Sequence, residues 1–289
     1  MKNNNVFVVA QKEAADHLQD AGFLVLLATY TVIVFASTYM LGSLAHDDNS
    51  VLLSSIHVKI ISQFTPLVGI ALGFDAVVRE KKSGSLNVLL THPLFRDNIL
   101  AGKLLGSTLL IAAIVVFSVF VSIGTLLIFY GVEVGYSELI RIAVFAILTF
   151  FYAVTFLGIA ILISTIVKNS TDSLICNIVI WIFICILFGA ILKTVVAILT
   201  GQTSNEGILI TQLLNLSPLH HYAEAVTGRA DLSFMGVNVE PIVRGIFDTR
   251  YTLTQCFREF WMNIVVLIMT PIILFIMNFI TFLRKDITL

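Results

Sequence analysis

The chain has 289 residues, of which 58% are hydrophobic and 12% charged, against roughly 25% charged in ordinary soluble domains. Its mean hydropathy is +0.98, and a water-soluble fold of this length cannot bury so many apolar runs, so composition excludes a soluble enzyme and points to an all-α polytopic membrane protein. The net charge of −1 names no partner by itself, and nucleic acid is not expected as one.

In chain order, Val6 to Asp20 place Phe7, Ala10, Ala14 and Leu18 on one helical stripe, with Lys12, Glu13, Asp16 and Gln19 away from it. Residues 1–21 therefore read as an interfacial helix feeding the first span. The N-terminus is too acidic and too weakly apolar for a cleavable signal peptide. Span 1 is expected over about 22–44 and span 2 over about 56–78, each long enough for roughly 30 Å of hydrocarbon. Gly69 and Gly73 form a GxxxG pair in span 2, which lets a second helix approach closely. Pro66 lies in the same span, and Asp75 sits one turn before Arg79, the spacing of a local ion pair.

The densest charge follows at once. Arg79, Glu80, Lys81 and Lys82 would each cost about 2.5–3.5 kcal/mol at the bilayer centre, so residues 79–98 must leave the membrane. Ser83, Gly84 and Ser85 supply a turn and a helix cap, after which Leu86, Leu89 and Leu90 recur at helical spacing until Pro93. A short amphipathic helix results, able to lie on the membrane surface or to enter a groove on a partner.

Span 3 is expected over about 99–130 and opens with a second GxxxG pair, Gly102 and Gly106. Span 4 follows over about 139–167 and span 5 over about 174–197. From residue 200 to 257 the composition turns polar, making one long extramembrane segment with two short helices in it, the second carrying His220, His221 and Glu224. A histidine pair with a glutamate one turn on is a weak metal signal, and the HExxH arrangement is missing. A polar interfacial helix accounts for it better. Cys176, Cys185 and Cys256 have no metal-binding spacing and receive no chemistry. Span 6 runs over about 260–283, stopped by Arg284 and Lys285.

Six spans put both termini on one side. One face collects Lys2, Lys12, Arg79, Lys81, Lys82, Arg96, Lys103, Lys168, Arg284 and Lys285, while the opposite short loops hold only Lys59 and Arg141. By the positive-inside rule the termini and the Arg79 loop are cytoplasmic and the 200–257 segment faces outside. No phosphate-binding GxxxxGK[ST] loop is present: Gly102-Lys103 is followed by Leu104, and Asp97 stands where the first glycine would be. ATP-driven work would have to be done by another polypeptide.

Glu80, Gly84-Ser85-Leu86, Pro93, Arg96 and Gly102-Lys103, in that order, resemble the E-x-x-x-G-[ST]-L … P … R … GK pattern of ABC-2 type transporter permeases. Lys12-Glu13 in the leading helix, Ser217-Pro218 after span 5 and the basic end of span 6 extend the resemblance over nearly the whole chain, which then forms a single transmembrane domain, 1–289. Ser85 departs from the commoner threonine. In flavour the pattern is similar to permeases associated with the maturation of multicopper enzymes such as nitrous oxide reductase. The resemblance implies a six-span permease subunit, mostly of exporters, in the cytoplasmic membrane, paired with a second permease copy, identical or paralogous. It also implies a separate ATPase that holds the ATP and Mg²⁺, with no cofactor, metal or catalytic residue in this chain. The loop helix would be the coupling helix, with Glu80, Gly84, Ser85, Leu86, Leu89, Leu90, Pro93 and Arg96 serving it. The alternatives are a lipid or drug exporter of the same fold, or a membrane scaffold that does not transport.

Overall fold

The computed structural model describes residues 2–44, 55–83, 96–131, 135–200, 206–235, 245–248 and 250–284. Among them are helices α1 (Lys2–Gln19), α2 (Ala21–Leu44), α3 (Ser55–Gly73), α4 (Val78–Ser83), α5 (Arg96–Tyr130), α6 (Tyr136–Ile166), α7 (Ser170–Ile182), α8 (Phe188–Thr200), α9 (Glu206–Leu214), α10 (Pro218–Thr227) and α11 (Leu253–Arg284). Six stretches are long and apolar enough to cross a membrane, as the sequence predicts. Span 1 is α2, span 2 is α3 with α4, span 3 is α5, span 4 is α6, span 5 is α7 and α8 joined through a π-helical turn, and span 6 is α11.

Spans 2 and 4 form the centre. Most of each is buried by protein, whereas spans 1, 5 and 6 turn most of their surface outward. That division is what a bilayer permits, because lipid tails solvate an apolar helix face as well as protein does. The two central helices touch through the first glycine pair. A Cβ on Gly69 would collide with the Ala153 carbonyl of span 4, and one on Gly73 would stand 2.7 Å from the Ala160 Cβ. Around this contact lie two apolar clusters. One gathers spans 1, 2, 3, 4 and 6, with Val34, Leu72, Ile111 and Leu157 fully buried. The other joins spans 2, 4 and 6 to α10.

One expectation is refined and two elements take on detail. Span 2 does not run unbroken to Val78: α3 ends at Gly73, and a turn over 74–77 leads into α4. Ser173 Oγ donates to the Phe74 carbonyl at 2.5 Å, and the Val77 and Val78 N–H groups both donate to Ser164 Oγ at 3.1 Å. Neighbouring spans thus satisfy backbone groups that the break exposes. On α1 the face packed on the bundle is only partly the apolar stripe. Ala10, Glu13 and His17 face the bundle, while Phe7 and Leu18 stay exposed.

Part of the 200–257 segment packs back onto the bundle. Its helix α10 sinks among the spans, with Tyr222, Ala223, Ala225 and Val226 completely buried. The Tyr222 ring stacks on Tyr152 of span 4 at 4.5 Å, and its hydroxyl lies 3.0 Å from Thr149 Oγ1. Ser217 precedes Pro218 at the first helical position, and Gly228 closes the helix with φ of +69°, the left-handed conformation that glycine adopts at little cost. Arg141 of span 4 holds the following turn, donating to the carbonyls of Ile246, Asp248 (3.2 Å) and Tyr251 (2.6 Å).

A methyl group at Gly69 has no room against the span 4 backbone. Gly69→Ala should therefore cost about 1–3 kcal/mol through overpacking and lower the thermal midpoint of the purified protein, while Gly124→Ala, where nothing lies within 4 Å, should not. Equal midpoints for the two variants would mean that spans 2 and 4 are not in backbone contact.

Candidate functional site

The side chains with most chemistry to explain lie where span 2 ends and the Arg79 loop begins. Lys103 sits one turn inside span 3, 4% exposed, and a lone ammonium there would be costly. Two carboxylates meet it: Glu13 of α1 at 2.7 Å and Glu80 of α4 at 3.0 Å. Glu13 in turn faces His17 at 3.5 Å across one helical turn. Four residues from three chain segments thus form one buried ionic cluster.

Each arm is positioned for a local reason. Gly102 and Gly106 flank Lys103 on the α1 side of span 3. A Cβ at Gly102 would come within 2.5 Å of the Val9 Cβ, and one at Gly106 within 2.6 Å of the Ala10 carbonyl. The second GxxxG pair therefore seats α1, and that close seating brings the short Glu13 side chain to Lys103. Glu80 arrives from the other direction. The break after Gly73 redirects the chain, Ser164 caps the new turn, and Arg79 pairs with Asp75 at 3.5 Å on the exposed side, leaving Glu80 to face inward.

Burial alone would raise the Glu13 carboxyl, but its hydrogen bonds and charge contacts with His17 and Lys103 outweigh that and hold it at about 2. A carboxylate depressed from 4.5 in this way contributes stability that is complete above its unfolded value and disappears as pH falls towards the folded one.

At the opposite end of the bundle, His220 Nδ1 donates to the Ala230 carbonyl at 2.5 Å. His221 lies 2.7 Å from Asn263 Oδ1 and 2.9 Å from the Asn215 carbonyl, and Asn263 Nδ2 donates to Glu224 Oε2 at 2.6 Å. Burial pulls His220 below the ordinary histidine range. Among the described residues no group of three or more His, Cys, Asp or Glu side chains is arranged to hold a metal; the pair ties α10 to span 6 and to the strand of chain that follows it.

Of the residues singled out in the sequence, Glu80 is in the ionic cluster, Gly69 and Gly73 are against span 4, and Gly102 and Gly106 are against α1. Arg96 is the first residue of α5. Gly84, Ser85, Leu86, Leu89, Leu90 and Pro93 lie outside the described residues. Sequence reasoning missed the partnership of Glu13 with Lys103. A signal for it existed: a lysine one turn into an apolar span requires a counter-charge, and Glu13 is one of two acids, with Asp16, on the helix described before span 1.

Lys103→Met should destabilise the fold by about 3–5 kcal/mol, because two carboxylates are left buried without their cation. The loss should be smaller in Glu13→Gln/Lys103→Met, where one stranded charge is gone. In the parent, thermal stability should decline as pH drops from about 4.5 towards 2, and the decline should flatten in Glu13→Gln; parallel pH profiles for parent and Glu13→Gln would contradict the pairing.

The comparison with known proteins agrees with this architecture. The chain is similar to the "probable ABC transporter permease protein NosY" of Stutzerimonas stutzeri, 26% identical over 224 residues that cover 76% of this chain and 80% of the relative. It is also similar to the protein of the same description from Pseudomonas aeruginosa, 25% identical over 230 residues, 75% of this chain and 79% of the relative. Residues 7–287 match the family described as ABC-2 family transporter protein, a match that takes in the ionic cluster, both glycine pairs and all six spans, and the chain belongs to that family.

Proposed function

We propose that this chain is the membrane-spanning permease subunit of an ABC exporter, driven by an ATPase on a separate polypeptide. Membership of a permease family carries the coarse statement, a multi-pass subunit of an ABC transporter that is not itself an enzyme and works with an ABC ATPase. The observation that carries the finer one is the cluster of Glu13, Lys103 and Glu80. It joins the root of the 84–95 loop to span 3 and to α1 through buried charge, so a push on the loop moves three elements together.

In this reading ATP and Mg²⁺ bind in the partner, and ATP-driven closure of two ATPases displaces the helix at Leu86 to Leu90 on each of two permease copies. Spans 2 and 3 transmit the displacement, because a packed helix is stiff along its axis and a packed core shifts between discrete arrangements. The membrane is the cytoplasmic one, with the termini and the 84–95 loop on the ATPase side, as the distribution of Lys and Arg supports. The exposed Phe7, Val8 and Leu18 of α1 suit contact with lipid at that surface. No line of charge runs through the spans, which favours an apolar or amphipathic cargo, or a path between the two permeases.

Cysteines placed at Ser83 and at Asn238 should react from opposite faces of the membrane, with Asn238→Cys reached by an impermeant reagent in intact cells; reaction of both from one face would overturn the topology. The purified chain should hydrolyse no ATP until its partner is added. Replacing Leu89 and Leu90 together by Ser removes about 3–6 kcal/mol of burial if both enter the ATPase groove, a loss of two orders of magnitude or more in association at about 1.4 kcal/mol per tenfold. Undiminished ATPase recovery in a pull-down, with normal transport, would show that the loop helix rests on lipid headgroups instead.

A further inference from the structure

Span 5 carries an irregularity at its outer half that nothing in the transport cycle above uses. Between α7 and α8 the helix widens into a π turn over Phe183–Leu187, where the Phe188 N–H reaches back five residues to the Phe183 carbonyl. Such a turn loosens the carbonyl ladder of the helix, and it occurs often at functional positions. Here the Cys185 carbonyl accepts the N–H of Phe234, at 3.1 Å, from the chain that follows α10.

That chain, Ala230 to Phe234, is held from several sides. His220 donates to the Ala230 carbonyl, and Gln63 Nε2 of span 2 donates to the Leu232 carbonyl at 2.8 Å. Spans 2 and 5 also meet directly at this level, where Trp181 Nε1 donates to the Gln63 carbonyl at 2.8 Å. Asp231 rests against span 5 where that helix has no side chain: a Cβ on Gly189 would collide with the carboxylate and stand 2.8 Å from Ser233 Oγ. Leu232 and Ser233 are buried, whereas Phe234 and Met235, the next two residues, are 69% and 59% exposed.

We propose that residues 230–234 form an outer latch, whose backbone occupies the π turn of span 5 while Gln63 of span 2 holds it from the other side, and that the outer ends of spans 2 and 5 separate only when it leaves. The inference rests on the transporter reading, since it assigns that reading its outer gate. Two features make the latch removable rather than merely structural. The Asp231 carboxylate is satisfied within the segment, by the Ser233 N–H and Oγ, each at 2.8 Å, so it carries its donors with it when it moves. The bonds it breaks on spans 2 and 5 are those to Gln63 and the Cys185 carbonyl, both neutral, and an exposed 3.4 Å contact of the Phe234 carbonyl with the Lys59 ammonium, which together cost less to leave than a buried ion pair. On the socket side, the Cys185 carbonyl lies in a turn whose register is already irregular, and a shift from π to α pairing within the helix gives it a new donor.

Amide hydrogen exchange on the assembled permease–ATPase complex tests this, read on peptides covering 228–236, with no nucleotide and with ATP trapped by a hydrolysis-deficient partner. The segment should be protected at rest and exchange roughly tenfold faster or more in the trapped state, as opening of a unit held by a few hydrogen bonds allows. Gly189→Ala, a change that otherwise favours helix, should bring the fast exchange to the resting complex, and Gln63→Leu should do so more weakly. Equal protection in both nucleotide states, with peptides from the 84–95 loop responding to ATP, would overturn the latch and leave the transporter reading standing. No response in either region would overturn both. Slow exchange in resting Gly189→Ala would show that Asp231 is not seated on span 5, and would overturn the latch as well.

Discussion

A lysine ammonium among apolar helices persists only where opposite charge is brought to it, and one end of this bundle is arranged around that requirement. Desolvating Lys103 is costly, and its return comes from two carboxylates on two other chain segments. Glu13 can reach it because Gly102 and Gly106 let α1 approach to backbone distance, and Glu80 because span 2 breaks after Gly73. The glycines, the break and the ions are therefore one device. Remove the glycines and α1 stands off; remove the break and Glu80 continues down the span axis, away from the cation.

The same constraint shapes the opposite end with different means. There the groups needing partners are mostly backbone, carried into the bundle by a chain that turns back on itself after span 5. Arg141 satisfies three carbonyls of the 246–251 turn, and His220, Gln63 and the Cys185 carbonyl satisfy the chain after α10. Irregular backbone survives at membrane depth only when buried in protein in this way. The Lys103 end is held by ion pairs and the opposite end by hydrogen bonds to peptide groups, three of them from the Arg141 guanidinium.

The six spans were legible because each is a long apolar run bounded by charge, a signal that tertiary packing does not override. Both glycine pairs were legible as close-approach positions, though not which helix each would receive. The burial of Glu13 was not legible on α1, because a hydropathy stripe counts a carboxylate as solvent-facing and takes no account of a cation brought to it from span 3. The burial of α10 was hidden in the same way. His220, His221 and Glu224 look polar in sequence, yet each finds a partner from span 6 or the adjoining chain, and the apolar face of Leu219, Tyr222 and Val226 then decides the burial. Nothing in FICIL, residues 183–187, marks a π turn, and nothing in it marks the Cys185 carbonyl as the acceptor of the Phe234 N–H.

Span 2 belongs to both ends. Its inner terminus becomes the turn that delivers Glu80, and its outer half presents Gln63 to the chain after α10. Between Gln63 and Gly73 the helix is roughly 15 Å long at 1.5 Å per residue, and along that length Gly69 meets the span 4 backbone at Ala153 while Gly73 meets the Ala160 Cβ and the Leu157 carbonyl. A contact made by two backbones has little give, since no rotamer is available to absorb a shift. Displacement of the loop root must then appear as a rigid slide or roll of span 2 on span 4, and either motion changes where Gln63 stands relative to Trp181 and Leu232. In the proposed transporter, the close packing that the glycine pair permits is what links the two ends of the subunit, without any residue that touches both.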